Sequence, residues 1–160
     1  MSVNQISVFL ENKTGQLAEI TGLLAQNHIN LRAISIAETA DYGLLRIIAD
    51  DAEKATSVLL EHGNILSMTP VTVVAVDDKP AGLSELLNLL SDGDVAIEYM
   101  YSLFTHQNGK AYMVFRIADE EKFLKGEIEL DKDIDIELEE LRDVALSVTL
   151  LFCISNSLAF

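Results

Sequence analysis

The chain has 160 residues, 49% of them hydrophobic, with two prolines and one cysteine: enough apolar material for a compact core, too little chain for two large domains. The lone Cys153 excludes an intrachain disulfide and suits a reducing cytoplasm. A formal net charge of -15 opposes both the phosphate backbone of nucleic acid and an anionic membrane surface, so neither is expected as a partner.

Ile6, Val8 and Leu10 alternate with Ser7 and Phe9, the period of a strand with one packed face. Turn residues 12–15 follow. Leu17, Ile20, Thr21 and Leu24 then recur at helical spacing, which predicts an amphipathic helix ending at Asn27 and His28. Residues 30–37 alternate Leu and Ile with other residues, 41–43 supply a turn and 44–49 are β-prone, so the two segments are expected to pair as a hairpin. Asp50 and Asp51 put negative charge where a second helix begins, Ala52, Ala55, Val58 and Leu59 give its stripe, and Gly63 closes it. Residues 65–69 are expected to be the last strand of this unit.

The same order then starts again. Residues 71–76 read as a strand, Pro80 is placed in the first turn of a helix, where a missing N–H is tolerated, and Leu83, Leu86, Leu87 and Leu90 form that helix's stripe. Strands at 95–104 and 111–117 are joined by 107–110, whose Asn108 and Gly109 signal a hairpin turn. Residues 133–138 are expected to be the final strand. The acidic stretch 119–143 is read as a solvated face. Residues 139–160 have no counterpart; Leu141, Val144, Ala145 and Val148 would line a helix, while 148–154 read equally well as a strand. Their apolar run falls short of the roughly 20 residues that cross a bilayer.

The repetition is visible residue by residue. Residues 12–19 (NKTGQLAE) return as 78–85 (DKPAGLSE), with Lys13, Leu17, Glu19, Leu23 and Leu24 matched by Lys79, Leu83, Glu85, Leu89 and Leu90 at a constant spacing of 66. Two copies of one βαββαβ unit follow, at 4–69 and 70–138, with 139–160 as a C-terminal extension. The expected fold class is α+β: two tandem ferredoxin-like repeats whose strands make an eight-stranded antiparallel sheet with the helices on one face.

Residues 6–17 followed by 29–31, and 73–83 followed by 95–97, resemble two ACT domains in tandem over about residues 4–138. The resemblance implies a regulatory module without catalysis that binds a small ligand, most often an amino acid, and pairs its sheets side by side. A free amino acid needs donors for its carboxylate and acceptors for its ammonium. The 12–16 loop offers donors and leads into a helix whose first N–H groups lack internal partners, while Gly15 lets a ligand approach the backbone. In serine-binding relatives the family pattern has asparagines at the positions of Asn12 and Asn30, whose amides are expected to face the same loop. The expected ligand set is Asn12, Lys13, Thr14, Gly15, Gln16 and Leu17, with Asn30 and Leu31.

The second repeat departs from this pattern. Asp78 replaces the loop asparagine, Ala81 the glycine and Ala96 the second asparagine, with Gly82 next door, so the loop of Asp78, Ala81, Gly82 and Leu83 is expected to be a secondary ligand loop that mainly completes the pocket wall. Against any ligand role, Asn-x-x-Gly before a helix is also ordinary turn and cap chemistry.

No enzyme is expected. His28, His62 and His106 lie far apart without metal-ligand spacing, and no glycine-rich phosphate loop is present, so neither a metal nor another cofactor is anticipated. The first residues show no secretion signal, and the expected location is the cytoplasm. Expected partners are a small amino acid, a second copy of the chain and a metabolic enzyme under its control. Two other readings stay open: the small regulatory subunit of a biosynthetic enzyme such as acetolactate synthase, and an interaction module without ligand.

Overall fold

The computed structural model describes residues 2–11, 13–38 and 42–118. In chain order the elements are β1 (Ser2–Glu11), α1 (Gln16–Gln26), β2 (Leu31–Glu38), β3 (Tyr42–Ala49), α2 (Ala52–Glu61), β4 (Ile65–Asp77), α3 (Gly82–Asp92), β5 (Ile97–Gln107) and β6 (Lys110–Ile117). The final strand expected at 133–138 and the extension 139–160 lie outside the described residues.

Local chemistry accounts for the element ends. Asp51 caps α2 by accepting from Lys54 N–H at 2.9 Å, and Gly63 takes the left-handed φ of 78° just beyond it. Asn108 and Gly109 both have positive φ, 51° and 73°, as a two-residue hairpin turn requires. Pro80 sits in the turn ahead of the Ala81 N-cap, not inside the first helical turn.

One expectation about the sheet needs correction. The strands read separately at 65–69 and 71–76 are one continuous β4, and the described residues form six strands in the antiparallel order β2-β3-β1-β4-β6-β5. The merger works because the two ends of β4 serve different neighbours: residues 65–72 pair with β1, and 72–77 pair with β6. Pro70 stands before the stretch paired with β6, where that edge has no ladder to lose, and its carbonyl accepts from Arg116 Nη1 at 3.0 Å.

The register pairs Ile6 with Met68 and Ser2 with Thr72, so even-numbered side chains of β1 and β4 share a face. Ile6, Val8 and Leu10 pack there with Ile20 and Leu24 of α1 and Ala55, Val58 and Leu59 of α2. Val74 and Val76 pack with Leu86 and Leu90 of α3. All three helices therefore cover one face, as expected. Truncating a side chain such as Leu24 or Leu59 to alanine costs about 2–5 kcal/mol.

The other face is buried by a different device. The sheet curls until its outermost strands, β2 and β5, touch, and the enclosed side holds a third cluster of Ala33, Ile48, Val71, Val73, Leu103 and Val114. Beside it lies a polar bridge between the repeats. Gln5, fully buried, donates through Nε2 to Ser7 Oγ and to Tyr99 OH, both at 2.9 Å, and accepts from Tyr101 OH at 2.7 Å. The Arg46 guanidinium lies 4.0 Å over the Tyr99 ring, so that the negative face of the ring meets a partly buried cation. Burial first, then neighbouring Tyr99, pushes the Tyr101 phenol well above its ordinary range, with Arg46 opposing.

Candidate functional site

The first repeat reverses sharply where β1 meets α1. Lys13 N–H donates to Glu11 O at 2.7 Å, a bond between residues two apart, and Gly15 takes φ 90°, the left-handed conformation from which α1 starts. A Cβ at Gly15 would meet nothing within 4 Å, so glycine is needed there for its dihedral and not for lack of room. No side chain among the described residues caps α1. Its first-turn N–H groups thus keep their positive character at the corner.

A cleft of about 130 Å³ opens at this corner. Leu10, Leu17 and Ile36 make its apolar wall, Glu11, Lys13 and Gln16 its polar one, and Tyr42 and Gly43 of β3 close the side. Glu11 and Lys13 form an exposed ion pair, and Phe9 packs on Tyr42 with ring centroids 6.3 Å apart. Gln16 Oε1 is buried with no hydrogen-bond partner among the described residues, an arrangement that costs free energy unless something else donates to it. An apolar cavity of roughly 150 Å³ holds a benzene-sized guest, so this cleft admits a molecule of only a few heavy atoms.

Of the residues expected from sequence, Lys13, Gln16 and Leu17 line the cleft, Gly15 shapes the turn and Thr14 is exposed beside it. Asn12 lies outside the described residues. Asn30 and Leu31 do not meet this corner within the chain: α1 carries the backbone to the other end of the sheet, and Leu31 is separated from Ile36 by five residues of strand, about 17 Å. The Asn30 backbone is instead tied to the end of β3, accepting from Asp50 N–H at 3.0 Å while its own N–H donates to Asp50 Oδ1 at 2.9 Å. Leu10, Glu11, Ile36, Tyr42 and Gly43 were missed by sequence reasoning. The signal for them was the pairing of β1 with β3, which sets Glu11 opposite Tyr42 and Leu10 opposite Gly43.

The second repeat has the same corner, built shut. Lys79 N–H donates to Asp77 O at 2.8 Å, and Ala81 takes φ 75°, reproducing the first turn without a glycine. Asp77, the counterpart of Glu11, is held by Lys110 at 2.6 Å and Lys79 at 2.9 Å, which lowers its carboxyl to about 2. Gly82, the counterpart of Gln16, lies so close to the Asp77 carbonyl that a Cβ there would collide with it. Asp78 donates its N–H to Gly109 O at 2.8 Å, and Leu83 packs against the core under α3. A broader groove of about 510 Å³ runs between α1 and the end of α2, past Ile20, Leu23, His62 and Asn64, and shares Gln16 with the smaller cleft.

Among the described residues no group of three or more His, Cys, Asp or Glu could hold a metal ion, and no helix is long and apolar enough to cross a membrane. A family model described as an ACT domain pair matches residues 1–145. A Bacteroides thetaiotaomicron protein of known crystal structure is 40% identical over 78% of this chain and 85% of its own, with a TM-score of 0.72. The regulatory subunit of aspartate kinase from Thermus thermophilus, in its ligand-free form, is 13% identical over 72% of this chain and 85% of its own, with a TM-score of 0.53, and so shares the fold. The corresponding subunit from Thermus flavus is 14% identical over the same shares, with a TM-score of 0.51. No curated protein matches the sequence.

Proposed function

The chain belongs to the ACT domain pair family, and on that premise we propose that it is a non-catalytic regulatory protein that senses a small free amino acid at the corner between β1 and α1. One observation carries the reading: two corners with the same backbone turn differ in what fills them. The first keeps a cleft in which, among the described residues, the Gln16 acceptor has no partner and no side chain caps the helix N-terminus. In the second, two lysines clamp Asp77, and Gly82 draws α3 against the strand. The ligand carboxylate meets the first-turn N–H groups of α1 and the Lys13 ammonium, its ammonium meets acceptors on the same polar wall, and a short side chain lies against Leu17 and Ile36.

Such a ligand regulates only if the protein's states bind it with different affinity. A homodimer belongs to this reading, because Asn30 and Leu31 stand at the start of β2, away from the corner of their own chain, and would reach such a corner only on a second copy. The regulated partner is a metabolic enzyme, and a cytoplasmic setting suits the single cysteine.

A thermal-shift screen of the full chain against the twenty amino acids tests the proposal. A ligand present at a hundred times its dissociation constant adds roughly 2.7 kcal/mol of stability. Leu17→Arg, a change at a partly exposed position, should fill the cleft and abolish that shift. A chain that no amino acid stabilises, or a shift that survives Leu17→Arg, would refute the assignment.

A further inference from the structure

The Glu11–Lys13 ion pair stands at the mouth of the cleft, and its surroundings make sense only in comparison with the second repeat. Both side chains are largely exposed, 67% and 73%, so the pair is solvated and adds little to folding. Parting it therefore costs little. Asp77 and Lys79 occupy the same two positions of the second repeat, 66 residues on, yet there the carboxylate has a second cation, Lys110, at 2.6 Å. Strand register shows why the first corner has no second cation among the described residues: Lys110 lies opposite Asp77 as Tyr42 lies opposite Glu11, and Tyr42 brings a neutral ring. Among the described residues Glu11 is thus held by one lysine where its counterpart is clamped by two.

Resting on the amino-acid reading above, we infer that Glu11 and Lys13 are the specificity determinants of the corner, an ion pair closed on itself until a zwitterion of the α-amino acid class enters and satisfies both charges at once. The ligand ammonium takes the Glu11 carboxylate, with Gln16 Oε1 as a second acceptor, and the ligand carboxylate takes the Lys13 ammonium beside the helix N-terminus. A simple amine or a simple acid trades the one ion-pair contact for another, whereas the zwitterion makes two in place of one, so the singly charged compound gains less. Since the two protein charges cancel, a net-neutral ligand is preferred, and a further charge on its side chain would meet the apolar wall at Leu17 and Ile36. The ligand class is therefore a neutral α-amino acid with a small, aliphatic or hydroxyl-bearing side chain.

The test uses calorimetry on the full chain with L-alanine, L-serine and L-valine, and with isobutylamine and 3-methylbutanoate as the decarboxylated and deaminated counterparts of valine. Wild type should bind at least one of the amino acids and neither singly charged compound within a hundredfold of it. Glu11→Gln and Lys13→Gln, both at exposed positions that should leave the melting profile intact, should each weaken amino-acid binding tenfold or more. Amino-acid binding that is lost in Leu17→Arg but unchanged in both charge variants, or equal binding of valine and isobutylamine, would overturn this inference and leave the corner reading standing. If none of the twenty amino acids binds wild type, the corner reading and this inference fall together.

Discussion

Replacing Gln5 by leucine isolates the bridge between the repeats. The amide is fully buried and makes three side-chain hydrogen bonds, two through Nε2 and one through Oε1. Each is worth about 1 kcal/mol net, and leaving the Tyr101 hydroxyl and Ser7 Oγ without this partner adds a desolvation cost of about 1–3 kcal/mol per stranded group. A buried leucine recovers part of this through apolar burial, roughly 1–2 kcal/mol, so Gln5→Leu should destabilise by at least about 3 kcal/mol. Tyr101→Phe alone should cost about 1–2 kcal/mol by orphaning Oε1. The double variant removes both ends of one bond, and its loss should fall short of the sum by about 1–2 kcal/mol. Urea unfolding followed by circular dichroism measures all three, since the chain has no tryptophan. A Gln5→Leu cost below about 1 kcal/mol, or strictly additive losses, would show that this network does not hold the curl of the sheet.

Adjacent residues at the second corner should respond in opposite directions. Ala81→Gly relieves a left-handed alanine and should stabilise by about 1 kcal/mol, whereas Gly82→Ala drives a Cβ into the Asp77 carbonyl and should cost several times as much; thermal melts of the pair would contradict the corner geometry if both were neutral. Asp77 has its carboxyl lowered from 3.8 to about 2 by hydrogen bonds from Lys110 and then Lys79. Its folded-state value lies below its unfolded one, so its contribution is present above pH 3.8 and lost as pH falls towards 2. Asp77→Asn should accordingly flatten that limb of the acid-unfolding curve, and an unchanged slope would argue against the clamp. Asp51→Ala removes the cap that accepts from Lys54 N–H and should lower stability by about 1 kcal/mol in the same urea assay, against no change if α2 is held by packing alone.

The candidate site was partly legible in sequence. Gly15, Gln16 and Leu17 follow from a turn signal leading into a helical stripe, which is local chemistry, and the departure of Ala81 and Gly82 from that pattern already pointed to unequal corners. Asn30 came from a family pattern and does not reach the corner within one chain: α1 carries it to the opposite end of the sheet, where its backbone ties the start of β2 to Asp50 at the end of β3. Glu11 and Tyr42 were overlooked because they meet only through strand register, and their separation in the sequence carries no period.

The sequence by itself determined the kind and order of the elements through 118, the repeat and the turn chemistry, because period, caps and left-handed positions depend on residues within a few places of one another. Only the tertiary structure decided that two expected strands run on as β4 and that the sheet curls until β2 touches β5. It also set the buried bonds of Gln5 with Tyr99 and Tyr101, 94 and 96 residues away. Those outcomes depend on twist summed over many strands and on which edges remain unpaired, quantities that exist only once the whole sheet is assembled.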